Sequence, residues 1–133
     1  MCREILTWGS EPSSGARWIV RVNEGGQLRA EVQGGNIIGT TPINDGDWHH
    51  IAVVLEDDGS ADITEARLYV DGWPEAISAS VDEPVRTSLD AAARNVRIGA
   101  YGTGRCFQGL IDEVRIYDRV LDASEIMDLA VAP

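Results

Sequence analysis

Apolar and polar residues alternate with a period of two along most of the chain. Trp18, Val20 and Val22 alternate with Arg17, Ile19 and Arg21, and Leu28, Ala30 and Val32 with Gln27, Arg29, Glu31 and Gln33. Val96, Ile98 and Ala100 alternate with Asn95, Arg97 and Gly99, and Ile111 is followed by Val114-Arg115-Ile116-Tyr117. Successive side chains of a strand point to opposite faces, so this pattern predicts strands with one buried face. Turn signals separate them: Asn23-Glu24-Gly25-Gly26, Gly34-Gly35-Asn36, Asn44-Asp45-Gly46, Asp57-Asp58-Gly59 and Asp71-Gly72. Each offers a residue that tolerates positive φ. The strands expected lie near 4–8, 16–23, 27–33, 36–40, 47–56, 66–71, 75–81, 94–101 and 107–117. That spacing fits an antiparallel sandwich. One segment breaks the period. Asp122 to Val131 reads as a short helix, with Asp122 as N-cap, Glu125 completing a capping box, and Leu121, Ile126 and Leu129 on one side. Residues 82–94, with Pro84 and three successive alanines, read as a loop.

Composition narrows the partners. The 133 residues fit one domain of useful core size. The formal net charge of −11 repels phosphate backbones, which argues against nucleic acid, and disfavours an anionic membrane surface. The longest apolar run, Ile51 to Leu55, falls far short of the ~20 residues that span a bilayer, so no membrane insertion is expected. No apolar stretch of signal-peptide length follows Met1. All 11 basic residues are Arg, which excludes Schiff-base chemistry and a phosphate-loop Lys.

Three motifs, in order, resemble those of laminin-G-like domains. Asp45-Gly-Asp-Trp48-His49-His50-Ile51-Ala resembles their G-x-W-H-H-I-A strand, and Arg67-Leu-Tyr69-Val-Asp71-Gly72 their L-Y-V-D-G hairpin. Phe107-Gln-Gly109-Leu-Ile-Asp112-Glu-Val-Arg115-Ile-Tyr117-Asp-Arg-Val-Leu121 resembles F-x-G-x-I-D-E-V-R-I-Y-x-R-x-L, and Ser124-Glu125-Ile126 the closing helix. The resemblance implies an all-β, antiparallel concanavalin A-like jelly-roll sandwich with a short C-terminal helix, and an extracellular or cell-surface setting. Strands bearing F-D-G-x-x-D-Y-V and S-x-W, usual at the front of such domains, have no counterpart here. The expectation is a single domain over 1–133, N-terminally shortened, with Ile5, Trp8 and Trp18 short of neighbours. An open strand edge and an uncovered apolar face invite pairing with a second copy, so a homodimer is favoured over a monomer kept apart by its charge.

Candidate chemistry is sparse. Laminarinase-type glucanases of this fold carry Glu-x-Asp-x-x-Glu on one strand, where period two sets two carboxylates on one face. The nearest stretch, Glu56-Asp57-Asp58-Gly59-Ser60-Ala61, ends in Ala and reads as a solvated hairpin tip. No Gly-x-Ser-x-Gly occurs, and Gly102-Thr-Gly104 reads as a turn. His49 and His50 are adjacent, so on a regular strand they face opposite ways and cannot share a metal; one is expected inside with a satisfied ring nitrogen and the other exposed. Cys2 and Cys106 either close a ~100-residue loop as a disulfide or stay free thiols, the second being preferred. By the resemblance, Asp112 is the best candidate for a calcium ligand. Calcium wants six to eight oxygens, and a purely structural role as acceptor for backbone N–H groups or Arg115 is preferred. Trp48, Tyr69 and Tyr117, inside strand motifs, are expected in the core. Trp73 and Tyr101, beside turns, are the candidates for stacking on a sugar ring. The leading function is non-catalytic recognition of a glycan or a protein partner, with no cofactor required. The rivals are a laminarinase-type glycoside hydrolase and a structural or oligomerising unit without a small ligand.

Overall fold

In the computed structural model, which describes residues 3–9, 12–87 and 96–132, the first four strands form an antiparallel meander. They are β1 (Glu4–Trp8), β2 (Trp18–Val22), β3 (Gln27–Val32) and β4 (Gly35–Pro42). The β2–β3 turn closes through the Asn23 N–H on the Gln27 carbonyl at 2.7 Å, with Gly26 at φ 91°. Only glycine takes up such a conformation without strain. Strands β5 (Ile51–Val54), β6 (Arg67–Val70) and β7 (Trp73–Pro74) make a second, three-stranded antiparallel sheet. Two later strands return to the first sheet. β8 (Ala79–Val81) pairs with β4 and β9 (Val96–Ile98) with β1, giving the order β8-β4-β3-β2-β1-β9. β10 (Ala100–Tyr101) and β11 (Arg105–Cys106) form a small ribbon, and α1 (Ala123–Val131) closes the fold.

The two sheets pack face to face. Val20, Leu28, Ala30, Val32 and Ile37 of the six-stranded sheet meet Leu68 and Val70 of β6 and Ile63 of a 3-10 turn, Ile63–Glu65. On β3 the inward residues are buried and the outward ones half-buried, as the alternation requires. Each buried aliphatic side chain contributes about 1.5–3 kcal/mol relative to exposure. The opposite face of the small sheet is covered by α1, whose Ile126 is fully buried against Val54 and Tyr69. The capping box forms as expected: the Glu125 N–H donates to Asp122 Oδ1 at 2.8 Å and the Asp122 N–H to Glu125 Oε2 at 2.9 Å. A second capping box, Asp62 with Glu65, starts the 3-10 turn. Glu75, just past β7, ties the sheets together at one edge. Its carboxylate accepts from the N–H groups of Thr40 and Thr41, at 2.9 Å each, and from the Thr41 hydroxyl.

The sandwich and the helix agree with the sequence pattern, but several elements differ. Residues 107–117 are not a strand. Glu113 sits at φ 51°, which interrupts extended backbone, and the segment joins no ladder. Leu110 is 76% and Ile116 66% exposed, so the alternation there leads to no buried face. Strand 47–56 contracts to Ile51–Val54, because the residues before it are pinned by side-chain bonds to the Asp71 turn. The expected strand 75–81 is replaced by β7 and β8. Of the three aromatics placed in the core, only Tyr69 is buried; Trp48 and Tyr117 are exposed. Trp8 is also exposed, whereas Ile5 is half-buried and Trp18 packs against the core.

Candidate functional site

Register alone sets an array of polar residues on the outer face of the six-stranded sheet. Arg97, Thr7, Ile19, Glu31 and Asn36 pair in one row across β9, β1, β2, β3 and β4. Glu4, Arg21, Arg29 and Ile38 pair in the next. Period two carries these side chains away from the core that Val20, Leu28 and Ile37 fill. Glu4 is 1% exposed, and a carboxylate so buried demands compensation. Arg21 Nη1 lies 3.7 Å and Arg105 Nη1 3.4 Å from Glu4 Oε1, and the Arg3 N–H donates to Glu4 Oε2 at 2.9 Å. Arg21 Nε is 3.7 Å from Glu31 Oε2, which also pairs with Arg29 Nε. A cavity of about 80 Å³ opens at the end of this array, lined by Arg3, Arg21, Val22 and Glu24.

The β10–β11 ribbon borders the face. The Thr7 hydroxyl donates to the Ala100 carbonyl at 2.7 Å, which holds β10 over β1. Arg17 Nη1 donates to the Tyr101 hydroxyl at 2.6 Å, and the guanidinium carbons of Arg17 and Arg105 lie 5.8 and 5.7 Å from its ring centroid. Both distances are in cation–π range. Arg97 Nη1 donates to the Gly102 carbonyl at 2.7 Å. Tyr101 is thus one link in a chain that runs Arg17–Tyr101–Arg105–Glu4–Arg21–Glu31–Arg29.

The other candidates lie elsewhere. Trp73 is 68% exposed on β7, an edge strand of the other sheet, so the structure separates the two aromatics proposed for stacking. Asp112 is exposed, and its Oδ1 accepts from the Glu113 N–H at 2.8 Å. Among the described residues no three His, Cys, Asp or Glu side chains converge as a metal site. Cys106 on β11 is an exposed free thiol, and Cys2 lies outside the described residues. Residues 57–60 form the expected tip: Asp57 Oδ1 accepts from the Gly59 N–H and Asp58 Oδ1 from the Ser60 N–H.

The histidines differ from their expected arrangement, because both precede β5 and neither is exposed. His49 Nδ1 lies 2.8 Å from Asp71 Oδ2 and Nε2 2.9 Å from Asp45 Oδ1. Only the imidazolium donates from both nitrogens, and the hydrogen bonds to Asp71 and then Asp45 hold the His49 pKa above its ordinary value. The same contact, after the Asp47 backbone N–H, lowers that of Asp45. His50 shifts the other way, through burial first and then the nearby Arg115 charge. Its N–H donates to Asp71 Oδ1, so Asp71 grips both histidines.

Residues 4–127 match the family model of the concanavalin A-like lectin/glucanases superfamily, in its laminin-G-like branch, and the chain belongs to that family. No curated protein and no solved structure gives a match. Two packed antiparallel sheets with a short closing helix agree with this membership. The superfamily holds both lectins and glucanases, so membership leaves binding and hydrolysis to be argued from the site. No helix among the described residues is long and apolar enough to cross a membrane.

Proposed function

We propose that the chain is a non-catalytic recognition module whose ligand, a glycan, docks on the outer face of the six-stranded sheet. One observation carries this reading. The outer face of the small sheet is covered by α1, whereas that of the large sheet carries Arg21, Arg29, Glu31 and Asn36 around the buried Glu4, with Ile19 and Ile38 among them and Tyr101 at the border. Fixed donors and acceptors on a rigid sheet are what a polyhydroxylated ligand needs for orientation. The same geometry speaks against hydrolysis. Glycosidases set two carboxyl groups across the scissile bond, about 5–9.5 Å apart. Here the Arg21 guanidinium stands between Glu4 and Glu31 and pairs with both.

A second reading draws on a separate feature. Leu110, Val114, Ile116 and Tyr117 are exposed on a segment that joins no ladder. Such an exposed apolar run suits contact with a protein partner or a second copy of the chain. A glycan array run beside light scattering and a reducing-sugar assay tests both. The recognition reading predicts glycan binding with no sugar release. Release of reducing ends, or a dimer that binds no glycan, would replace it.

A further inference from the structure

The segment that joins β4 to β5 is anchored at both ends. Its start is held by the Ile43 N–H, which donates to the Gly26 carbonyl at 2.8 Å. Its end is held twice at the β6–β7 turn: the Asp71 N–H donates to the His50 carbonyl at 2.7 Å, and the His50 N–H to Asp71 Oδ1 at 2.9 Å. Between the anchors Gly46 turns at φ 94°, with nothing within 4 Å of where a Cβ would stand, and Trp48 is 65% exposed. The His49 side chain, itself only 15% exposed, bridges this turn to the next: Nδ1 lies 2.8 Å from Asp71 Oδ2 and Nε2 2.9 Å from Asp45 Oδ1. The groups that meet the ring carry one sign. Asp45 belongs to its own segment, where the Asp47 N–H also donates to that carboxylate, and Asp71 to the β6–β7 turn. Met127 and Ala130, by which α1 reaches Gly72, are uncharged, and the Arg115 charge acts on His50.

Two carboxylates can be bridged only while both ring nitrogens carry protons, because neutral imidazole donates from one nitrogen and presents a lone pair at the other. The two contacts are unequal in their surroundings. Asp71 is fixed by the ladder and by the His50 N–H on its second oxygen, whereas Asp45 sits in the exposed turn. The contact to Asp45 is therefore the one that opens. We propose that His49 is a proton-operated latch: its imidazolium closes turn 45–49 against the β6–β7 turn, and loss of the proton releases Asp45 and opens the turn that carries Trp48. Trp73 follows the Asp71–Gly72 turn and is 68% exposed, so the latch fixes one exposed tryptophan relative to another. This device is separate from the large-sheet face and does not depend on what binds there. The hydrogen bonds to Asp71 and Asp45 hold the His49 pKa above its ordinary value, while burial lowers that of His50, so the two rings titrate on opposite sides of about 6.5. The latch is shut below the His49 transition and open above it.

The test is a pH titration of the intact chain by NMR, following the imidazole nitrogens of both histidines, the backbone amides of residues 45–49 and the Trp48 indole N–H. The expected result is a His49 midpoint above about 6.5 and a His50 midpoint below it. Across the His49 transition the amide order parameters of residues 45–48 should fall from about 0.85, typical of rigid backbone, to below about 0.6, and the Trp48 indole signal should shift with the same midpoint. Asp45→Asn supplies a readout that a merely structural contact would not move. An amide accepts from the imidazolium and donates to the neutral ring, so this variant should bring the His49 midpoint toward about 6.5 and keep the turn rigid throughout. His49→Gln should abolish the response of residues 45–48. A His49 midpoint at or below about 6.5 would overturn the bridge. A raised midpoint with residues 45–48 equally rigid on both sides of it would overturn the latch. An unchanged midpoint in Asp45→Asn would remove Asp45 from the device and overturn the proposal in that form.

Discussion

Truncating one isoleucine of the closing helix should cost far more than truncating one in the motif before it. Ile126 is 0% exposed and fills the contact between α1 and the outer face of the small sheet, against Val54 and Tyr69. Ile126→Ala removes about three buried methyl or methylene groups, at about 0.8 kcal/mol each. The cavity left behind raises the total to about 3 kcal/mol, within the usual range for such substitutions. For 133 residues that corresponds to a fall of about 10 °C in Tm. Ile116, in contrast, is 66% exposed, and Ile116→Ala should stay within about 0.5 kcal/mol. The assay is urea unfolding followed by far-UV circular dichroism, with thermal melts alongside. Equal costs for the two variants would refute the reasoning. That outcome would mean residues 107–117 lie buried in a sheet, as their alternation suggests, and not along the surface.

Three further outcomes follow from particular contacts. Gly15, at φ 79°, would carry a Cβ 2.1 Å from the Pro84 carbonyl oxygen, so Gly15→Ala should destabilise by about 2 kcal/mol or more in the same urea assay. Because the folded-state pKa of His49 is raised, its stabilisation is complete below the unfolded value near 6.5 and is lost as pH rises through the higher folded value. Melts from pH 5 to 9 should show that decline, and His49→Gln should flatten it. Chelator should leave Tm within about 1 °C in the parent chain and in Asp112→Ala; a chelator-dependent drop abolished by the substitution would establish a calcium site there.

The two-layer architecture was legible because burial on one face writes a period of two into the sequence, clearest in Leu28-Arg29-Ala30-Glu31-Val32. Likewise the helix boundary followed from a local device, the reciprocal hydrogen bonds of Asp122 and Glu125, which need no tertiary context. Residues 107–117 were misread because alternation records what a strand could bury, whereas a ladder also needs a neighbour with free donors and acceptors. Trp48 was placed inside because it lies in a strand motif, yet the bonds of Asp71 to His49 and His50 hold the chain out of a ladder before Ile51. The candidate site was least legible. Aromatics beside turns drew attention to Tyr101 and Trp73, but registers that only pairing reveals bring Tyr101 together with Arg17 and Arg105 and leave Trp73 on the other sheet. The available signal was the charged side of the alternation. Arg21, Arg29 and Glu31 occupy outward positions of adjacent strands, where solvated residues are common enough to draw no notice.

The central claim is that ligand recognition belongs to the outer face of the six-stranded sheet. Chemical-shift mapping tests it most directly, with backbone amide and arginine Nε–Hε signals followed as a glycan that binds is titrated in. The account predicts the largest shifts at Arg21, Arg29, Glu31, Asn36 and Tyr101, with Trp73 and the helix Ala123–Val131 unmoved. Shifts centred on Trp73, or on the segment around Leu110 and Ile116, with the arginine signals unchanged, would contradict it.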